Sequence, residues 1–276
     1  MDTLTDELIA TATTTWTGDT SAPIATSLQV GNDRPPRPAW IEIDLARWRR
    51  NFQLIRADLP PGLELLSVVK DEAYGHGLLP AARLAGEAGV RFLAVSTVEE
   101  GVKLRAGGVR QRILVLGDRQ EAELPWCVAH DLTCCVAEPG MIAKLARLAQ
   151  QAGKRFAVHL KINTGMNRYG VRWNEVLNVA EKIVAEKSLW LEGALSHFAQ
   201  SDELNKTFAL LQLSRFNEAL AALAARNIPV SVRHLCNSGG FLDLPSAHFD
   251  MYGWGFYRWA FFHRRFAGGF PASKPS

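Results

Sequence analysis

The chain has 276 residues, of which 47% are hydrophobic and 21% charged, a balance that excludes a mostly disordered chain and allows a sizeable core. The 31 Lys and Arg exceed the 28 Asp and Glu by a formal +3. The basic pairs Arg49-Arg50 and Arg264-Arg265 are too short and too far apart to form a phosphate-binding stripe, so no nucleic-acid partner is expected. No apolar run approaches the ~18 residues of a membrane span, so no membrane partner is expected either. The start MDTLTDEL is acidic, unlike a signal peptide. The four cysteines, Cys127, Cys134, Cys135 and Cys236, lack zinc-ribbon spacing, so no metal is expected, and the simplest setting is a reducing one, the cytoplasm.

In chain order, residues 1–37 are rich in Thr, Ser, Asp, Pro and Gly, which predicts a flexible leader. Alternation over 40–44 predicts an opening strand, with Asp44 placed to cap a following helix. Short apolar runs follow at 65–70, 92–95, 112–116, 132–136, 156–162, 190–196, 231–235 and 251–257. Helical segments are expected between most of them, at 79–88, 139–152, 174–186 and 207–226. In the last, Phe208, Leu211, Phe216, Leu220 and Leu223 can share one face. Eight strands alternating with helices predict a (β/α)8 barrel over 38–257, followed by an irregular tail at 258–276. Functional side chains are then expected at the C-terminal ends of strands, where Lys70, Lys161, His197 and His234 fall.

Each candidate has an ordinary and a chemical reading. Lys70 is a snorkelling lysine or a desolvated amine able to form an imine or act as a base. It precedes Asp71-Glu72-Ala73-Tyr74-Gly75-His76-Gly77, where two glycines would let backbone approach a ligand closely. In Lys161-Ile162-Asn163-Thr164-Gly165-Met166-Asn167-Arg168-Tyr169-Gly170, Arg168 is a surface arginine or a group pointing into the barrel mouth. His197 is a half-buried histidine or a plate for a flat ring. Ser238 and the glycines after Asn237 form either a local turn or a set of donors to phosphate.

The stretch Val68-Val69-Lys70-Asp71-Glu72-Ala73-Tyr74-Gly75-His76-Gly77 resembles the lysine motif V-V-K-A-[ND]-A-Y-G-H-G of the pyridoxal-phosphate alanine racemases. The Lys161 segment is similar to their K-[ILV]-D-T-G-M-x-R-x-G, and His234-Leu235-Cys236-Asn237-Ser238-Gly239 to H-x-A-N-S-[AG]. The resemblance implies a pyridoxal 5'-phosphate cofactor with Lys70 as the aldimine lysine and one base, and Tyr74 at the cofactor phosphate. It implies that Arg168 supports the ring oxygen and substrate end, that Lys161 is a carbamylated position, and that His197 lies beside the pyridine ring. It further implies that His234 orients its neighbours and that Asn237, Ser238 and a Gly255 amide lie at the phosphate side. Racemisation of alanine, supplying D-alanine for peptidoglycan, is the implied activity, on a small amino-acid substrate.

The resemblance departs after Asp250. The family motif D-M-V-R-[PV]-G-[IL] meets Asp250-Met251-Tyr252-Gly253-Trp254-Gly255-Phe256, so the arginine that bonds the pyridine nitrogen falls at Gly253. One G restored after the Met251 codon permits Val-Arg-x-Gly, which predicts a one-base deletion; a gene sequence whose codons cannot restore the arginine would sink that idea. The family's second, mostly β domain and its tyrosine base are expected to be absent, with any homodimer weakened accordingly. A single-barrel cofactor-binding protein and an inactive fragment are the alternatives.

Overall fold

A computed structural model describes residues 42–57 and 59–255; the expected leader at 1–37 and tail at 258–276 lie outside them. The chain divides into a unit up to Ala46 and a second from Arg47 onward. In the described part of the first, Glu42, Ile43 and Asp44 have no regular structure and Leu45 begins helix α1 (Leu45–Ala57). The strand expected at 40–44 is therefore not formed over 42–44, while residues 40 and 41 lie outside the described part. Alternation alone does not make a strand, because its amides need a ladder, and no described strand pairs with this segment.

The second unit bears out the barrel. Its strands are β1 (Glu64–Val68), β2 (Phe92–Val95), β3 (Arg112–Val115), β4 (Leu132–Val136), β5 (Phe156–Asn163), β6 (Val171–Arg172), β7 (Leu189–Leu195), β8 (Val232–His234) and β9 (Met251–Gly255). Eight of them run in the parallel order β8-β7-β5-β4-β3-β2-β1-β9, with β6 attached to β5. The ends approach closure through Asp250 N donating to Arg233 O (3.1 Å) and Gly253 N to Cys236 O (2.9 Å). All eight apolar runs after the opening segment became barrel strands. Strands buried on both faces read as nearly continuous apolar stretches, which is why they were visible. Inside the barrel, Leu66, Phe92, Ala94, Leu114, Cys135, Leu195 and Met251 form one cluster.

The segment that departs from the family motif forms β9 nonetheless. It pairs with β1 from Glu64↔Met251 to Val68↔Gly255. Tyr252 and Trp254 are buried and lie against Phe241, whose ring stacks on Tyr252 at 4.1 Å. Gly253 and Gly255 face the barrel mouth.

The expected helices are present as α3 (Leu78–Glu87), α6 (Pro139–Gln151), α7 (Leu177–Ala185) and α8 (Thr207–Ala225), with α4 (Val98–Ala106) and α5 (Leu124–Ala129) between α3 and α6. The buried face of α8 differs from the expected one. It carries Ala209, Gln212, Leu213, Phe216, Ala219 and Leu223, whereas Leu211 is exposed. A polar residue, Gln212, lies inside the stripe, so counting apolar residues rotated the face. No described helix is long and apolar enough to cross a membrane.

Candidate active site

Lys70 does not end β1. The strand stops at Val68, and Lys70 opens the turn α2 (Lys70–Gly75). Asp71, Glu72, Ala73 and Tyr74 in that turn have φ of 54°, 52°, 52° and 57° with ψ between 41° and 51°. Four consecutive left-handed residues other than glycine cost roughly 4–8 kcal/mol, so neighbours must hold them. Asp71 N donates to the Glu100 carboxylate, which also accepts from Ser96 N (2.9 Å) and Thr97 N (3.1 Å). Leu78 N donates to Glu72 Oε2 at 3.1 Å. Gly75 and Gly77 have φ of 86° and 99°, so they serve the backbone path rather than a close ligand approach. His76 turns away from the cavity, bonds Ala73 O through Nδ1 (2.9 Å) and packs against Trp48. The turn places the Lys70 amine 5.9 Å from the Tyr74 ring centroid.

A cavity of about 680 Å³ opens at the C-terminal ends of the strands. Lys70, Tyr74, Lys161, Arg168, His197, His234, Asn237, Ser238 and Gly255 all line it. Burial, aided by Arg168, pushes the Lys161 amine down to about 8. Burial, with Lys161, Arg168 and Lys70 adding repulsion, pushes His197 down to about 3, so its ring is neutral. Burial and the Asp71 charge push the Tyr74 phenol up to about 12, so it stays a donor. Among the described residues, no carboxylate pairs with Lys70, Lys161 or Arg168.

Asn163 organises the loop that carries Arg168. Its Oδ1 accepts from Gly165 N (3.0 Å) and Asn167 N (3.1 Å). Asn237 caps helix α9 (Ser238–Asp243), accepting from Gly240 N at 3.0 Å and from the Ser201 hydroxyl at 2.6 Å. Ser238 is left facing the cavity. Gly239 is tightly placed there, since a Cβ would meet Ser201 Oγ at 3.0 Å and Asp202 N at 3.2 Å, so those neighbours would have to give way. A Cβ on Gly255 would lie 2.9 Å from Tyr74 Oη. A Cβ on Gly253 would meet nothing nearer than Cys236 O at 3.6 Å, so that wall has room for a side chain.

Several residues escaped the sequence reading. Ser96, Leu116, Gly117, Asp118 and Tyr169 also line the cavity; strand-end position would have found the first four. Gln212 reaches from α8 to donate to His197 O (3.0 Å) and accepts from Ala199 N (2.9 Å). Below the cavity, His159 and Glu192 are buried inside β5 and β7. Polar residues in otherwise apolar strands were their available signal.

These two belong to a polar column through the barrel. Arg112, partly exposed, pairs with Glu192 and lies 5.4 Å from the Phe92 and Trp190 ring centroids. Glu192 Oε2 lies 3.3 Å from His159 Nε2, and His159 Nδ1 lies 3.0 Å from His234 Nε2. The carboxylate only accepts, so His159 Nε2 carries a proton. His159 Nδ1 and His234 Nε2 share one hydrogen bond. Burial, with His159 and Lys161 adding repulsion, holds the His234 imidazole well below its ordinary range.

The sequence model for "Alanine racemase, N-terminal domain" matches residues 43–258. An alanine racemase of Syntrophobacter fumaroxidans is 40% identical over 213 residues, 77% of this chain and 56% of that protein. One of Desulfovibrio desulfuricans is 35% identical over 215 residues, 78% and 58% respectively. The chain thus spans little more than half the length of these relatives. Among solved structures, alanine racemase from the D-cycloserine producer Streptomyces lavendulae superposes with a TM-score of 0.71 at 33% identity, covering 76% of this chain and 56% of that one. The Clostridium difficile 630 enzyme in complex with cycloserine gives 0.73 at 28% identity, covering 76% and 58%.

Proposed function

The chain belongs to the alanine racemase N-terminal domain family, and on that premise we propose that it binds pyridoxal 5'-phosphate through Lys70 and interconverts L- and D-alanine. The observation that carries this reading is the convergence of nine residues, from strand ends far apart in sequence, on one cavity. The fit to the cofactor rests on the donor set. An amine at Lys70 and a guanidinium at Arg168, neither paired with a described carboxylate, suit an aldehyde and an anionic oxygen. Ser238, Tyr74 and the glycine at 255 suit a phosphate, where a Cβ would crowd Tyr74.

When bound, the cofactor supplies an electron-withdrawing ring that lets a substrate α-proton leave. Lys70 would anchor it and move a proton at one face of the α-carbon. The protonated Tyr74 phenol and the Ser238 hydroxyl would donate to phosphate oxygens. The neutral His197 ring would flank the cofactor without adding charge. Arg168 would receive the ring oxygen and the substrate carboxylate. Lys161, with a lowered amine pKa, is partly neutral near pH 8 and suits carbamate formation, whose negative charge would hold Arg168. No described residue is assigned as base for the opposite face. The partners on this reading are a small amino acid and a second copy of the chain. The product would serve peptidoglycan, in a cytoplasm whose reducing setting suits four free, buried cysteines.

The test is chiral detection of D-alanine formed from L-alanine by the purified chain with added cofactor, beside Lys70→Ala. Turnover absent from the Lys70→Ala control supports the proposal. Cofactor uptake without turnover overturns racemisation and leaves a cofactor-binding barrel. Failure to take up cofactor overturns both.

A further inference from the structure

Strand β7 ends at Leu195, and Ser196 N is still tied to β8 through His234 O (3.1 Å). His197, Phe198 and Ala199 then leave the ladder with no regular structure. Such a segment sets where the His197 ring lies, yet its backbone needs partners of its own. They come from α8. The Gln212 side chain is fully buried; its Nε2 donates to His197 O (3.0 Å) and its Oε1 accepts from Ala199 N (2.9 Å). A carbonyl only accepts and an amide N–H only donates, so these two backbone groups fix which end of the Gln212 amide is which. Among the described residues, no other hydrogen bond reaches that carbonyl or that amide.

The neighbours confine that grip to residues 197–199. Phe198, between the two bonded residues, is buried, and a Cβ on Gly240 of α9 would lie 2.8 Å from its ring. Ser201 is held separately, by Asn237 Oδ1 and by Lys206 Nζ, each at 2.6 Å. The loop that carries Arg168 has its own support, because Arg215 on the same helix donates to Thr164 O at 2.9 Å, whereas Gln212 Nε2 reaches Thr164 Oγ1 only at 3.3 Å. The His197 imidazole lines the cavity with Lys70, Lys161 and Arg168, and among the described residues it forms no hydrogen bond of its own. Its aim is therefore set through its backbone.

We propose that Gln212 is the positioning residue for His197: by fixing the peptide groups on either side of Phe198, it aims the imidazole across the cavity at the cofactor ring. The proposal rests on the cofactor reading above. Gln212 does not itself line the cavity, so it touches neither cofactor nor substrate and acts through His197. A flat ring is seated by a flat neighbour only at the correct distance and tilt, and a misplacement of about 1 Å can cost about 10²-fold. Without Gln212 the buried carbonyl and amide would turn toward other partners, and the imidazole between them and the cavity would turn with them.

Two readouts on the full chain test it. Without cofactor, hydrogen exchange at the Ala199 amide is expected to be slow, and about 10-fold faster in Gln212→Met, which keeps the length and loses both bonds. An unchanged rate overturns the clamp. Loaded with pyridoxal phosphate, the chain is expected to show induced circular dichroism in the visible band of the cofactor. Gln212→Met and His197→Ala are each expected to lower it, and the double variant to fall no further than His197→Ala alone. Phe216→Leu, which loosens the same helix where it packs on Phe249, is expected to leave the signal unchanged. Additive losses in the double variant, a signal unmoved by Gln212→Met, or an equal loss in Phe216→Leu overturns the proposal. Gln212→Asn, one carbon too short to reach both partners, decides if Gln212→Met fails to fold. A chain with a protected Ala199 amide that takes up no cofactor overturns the cofactor reading and the aim assigned to His197 with it, and the exchange data keep that result distinct from loss of the clamp.

Discussion

The rim of the cavity and the column beneath it treat charge in opposite ways. In the column, Arg112, Glu192, His159 and His234 hand one hydrogen bond to the next, and the buried carboxylate meets both a guanidinium and an imidazole. At the rim, Lys70, Lys161 and Arg168 face the same space, paired with no described carboxylate, although Asp118 and Asp202 also line it. A buried polar group that is satisfied holds a fold together, whereas cations left together at a cavity mouth raise its affinity for anions. The left-handed turn that carries Lys70 belongs with the rim. Its conformation is costly in itself and is sustained by Glu100 rather than by burial alone.

The comparison can be broken first at the rim. Lys70→Ala is expected to lower any racemisation or α-proton exchange by about 10²–10⁴-fold, measured by chiral detection and deuterium uptake, while leaving urea unfolding nearly unchanged. An equal loss of stability would mean that Lys70 is part of the scaffold. In the column the expectation reverses. Glu192→Ala leaves His159 without its acceptor and is expected to cost about 3–5 kcal/mol in urea unfolding.

Lys161 sharpens the contrast through pH. Its amine falls from 10.5 to about 8 in the folded chain, so below pH 8 both states carry the proton and folding bears the buried charge. Between pH 8 and 10.5 the folded state releases its proton while the unfolded state keeps it, and stability rises with pH. Lys161→Met is therefore expected to be more stable at pH 7 by about 3 kcal/mol, with the difference closing above pH 8. A pH-independent difference would show that the amine is charged or carbamylated throughout.

Smaller effects are expected at the supports. Glu100→Gln removes one acceptor from the Asp71, Ser96 and Thr97 amides and is expected to cost about 1–3 kcal/mol. Its signature is weaker cofactor uptake, since the turn carrying Lys70 and Tyr74 loosens. Gly255→Ala brings a methyl within 2.9 Å of Tyr74 Oη and is expected to weaken uptake by about 1 kcal/mol, roughly fivefold, with unfolding unchanged. Both are read by fluorescence titration with the cofactor.

Most of the barrel was legible because parallel strands buried on both faces leave uninterrupted apolar runs, and those from Leu65 to Gly255 were all visible as such. The cavity residues were legible because strand ends in a barrel converge. The misreadings share one cause. The segment at 40–44 has the alternation of a strand but no ladder over its described part. The buried face of α8 contains Gln212, which polarity alone places outside. His159 and Glu192 vanish into apolar runs because one polar residue barely changes them. In each case the deciding partner is distant in the chain.

The order of the elements, the positions of Lys70, Lys161, His197 and His234 at or just past strand ends, and the glycine at 253 were determined by the sequence itself, because periodicity and motif spacing are local properties. The left-handed path of Asp71 to Tyr74, the cap role of Asn237 and the pairing of His234 with His159 were decided only in the folded chain. They depend on Glu100, Ser201, His159 and Glu192, whose hydrogen bonds exist only once strands and helices from across the chain have packed around one axis.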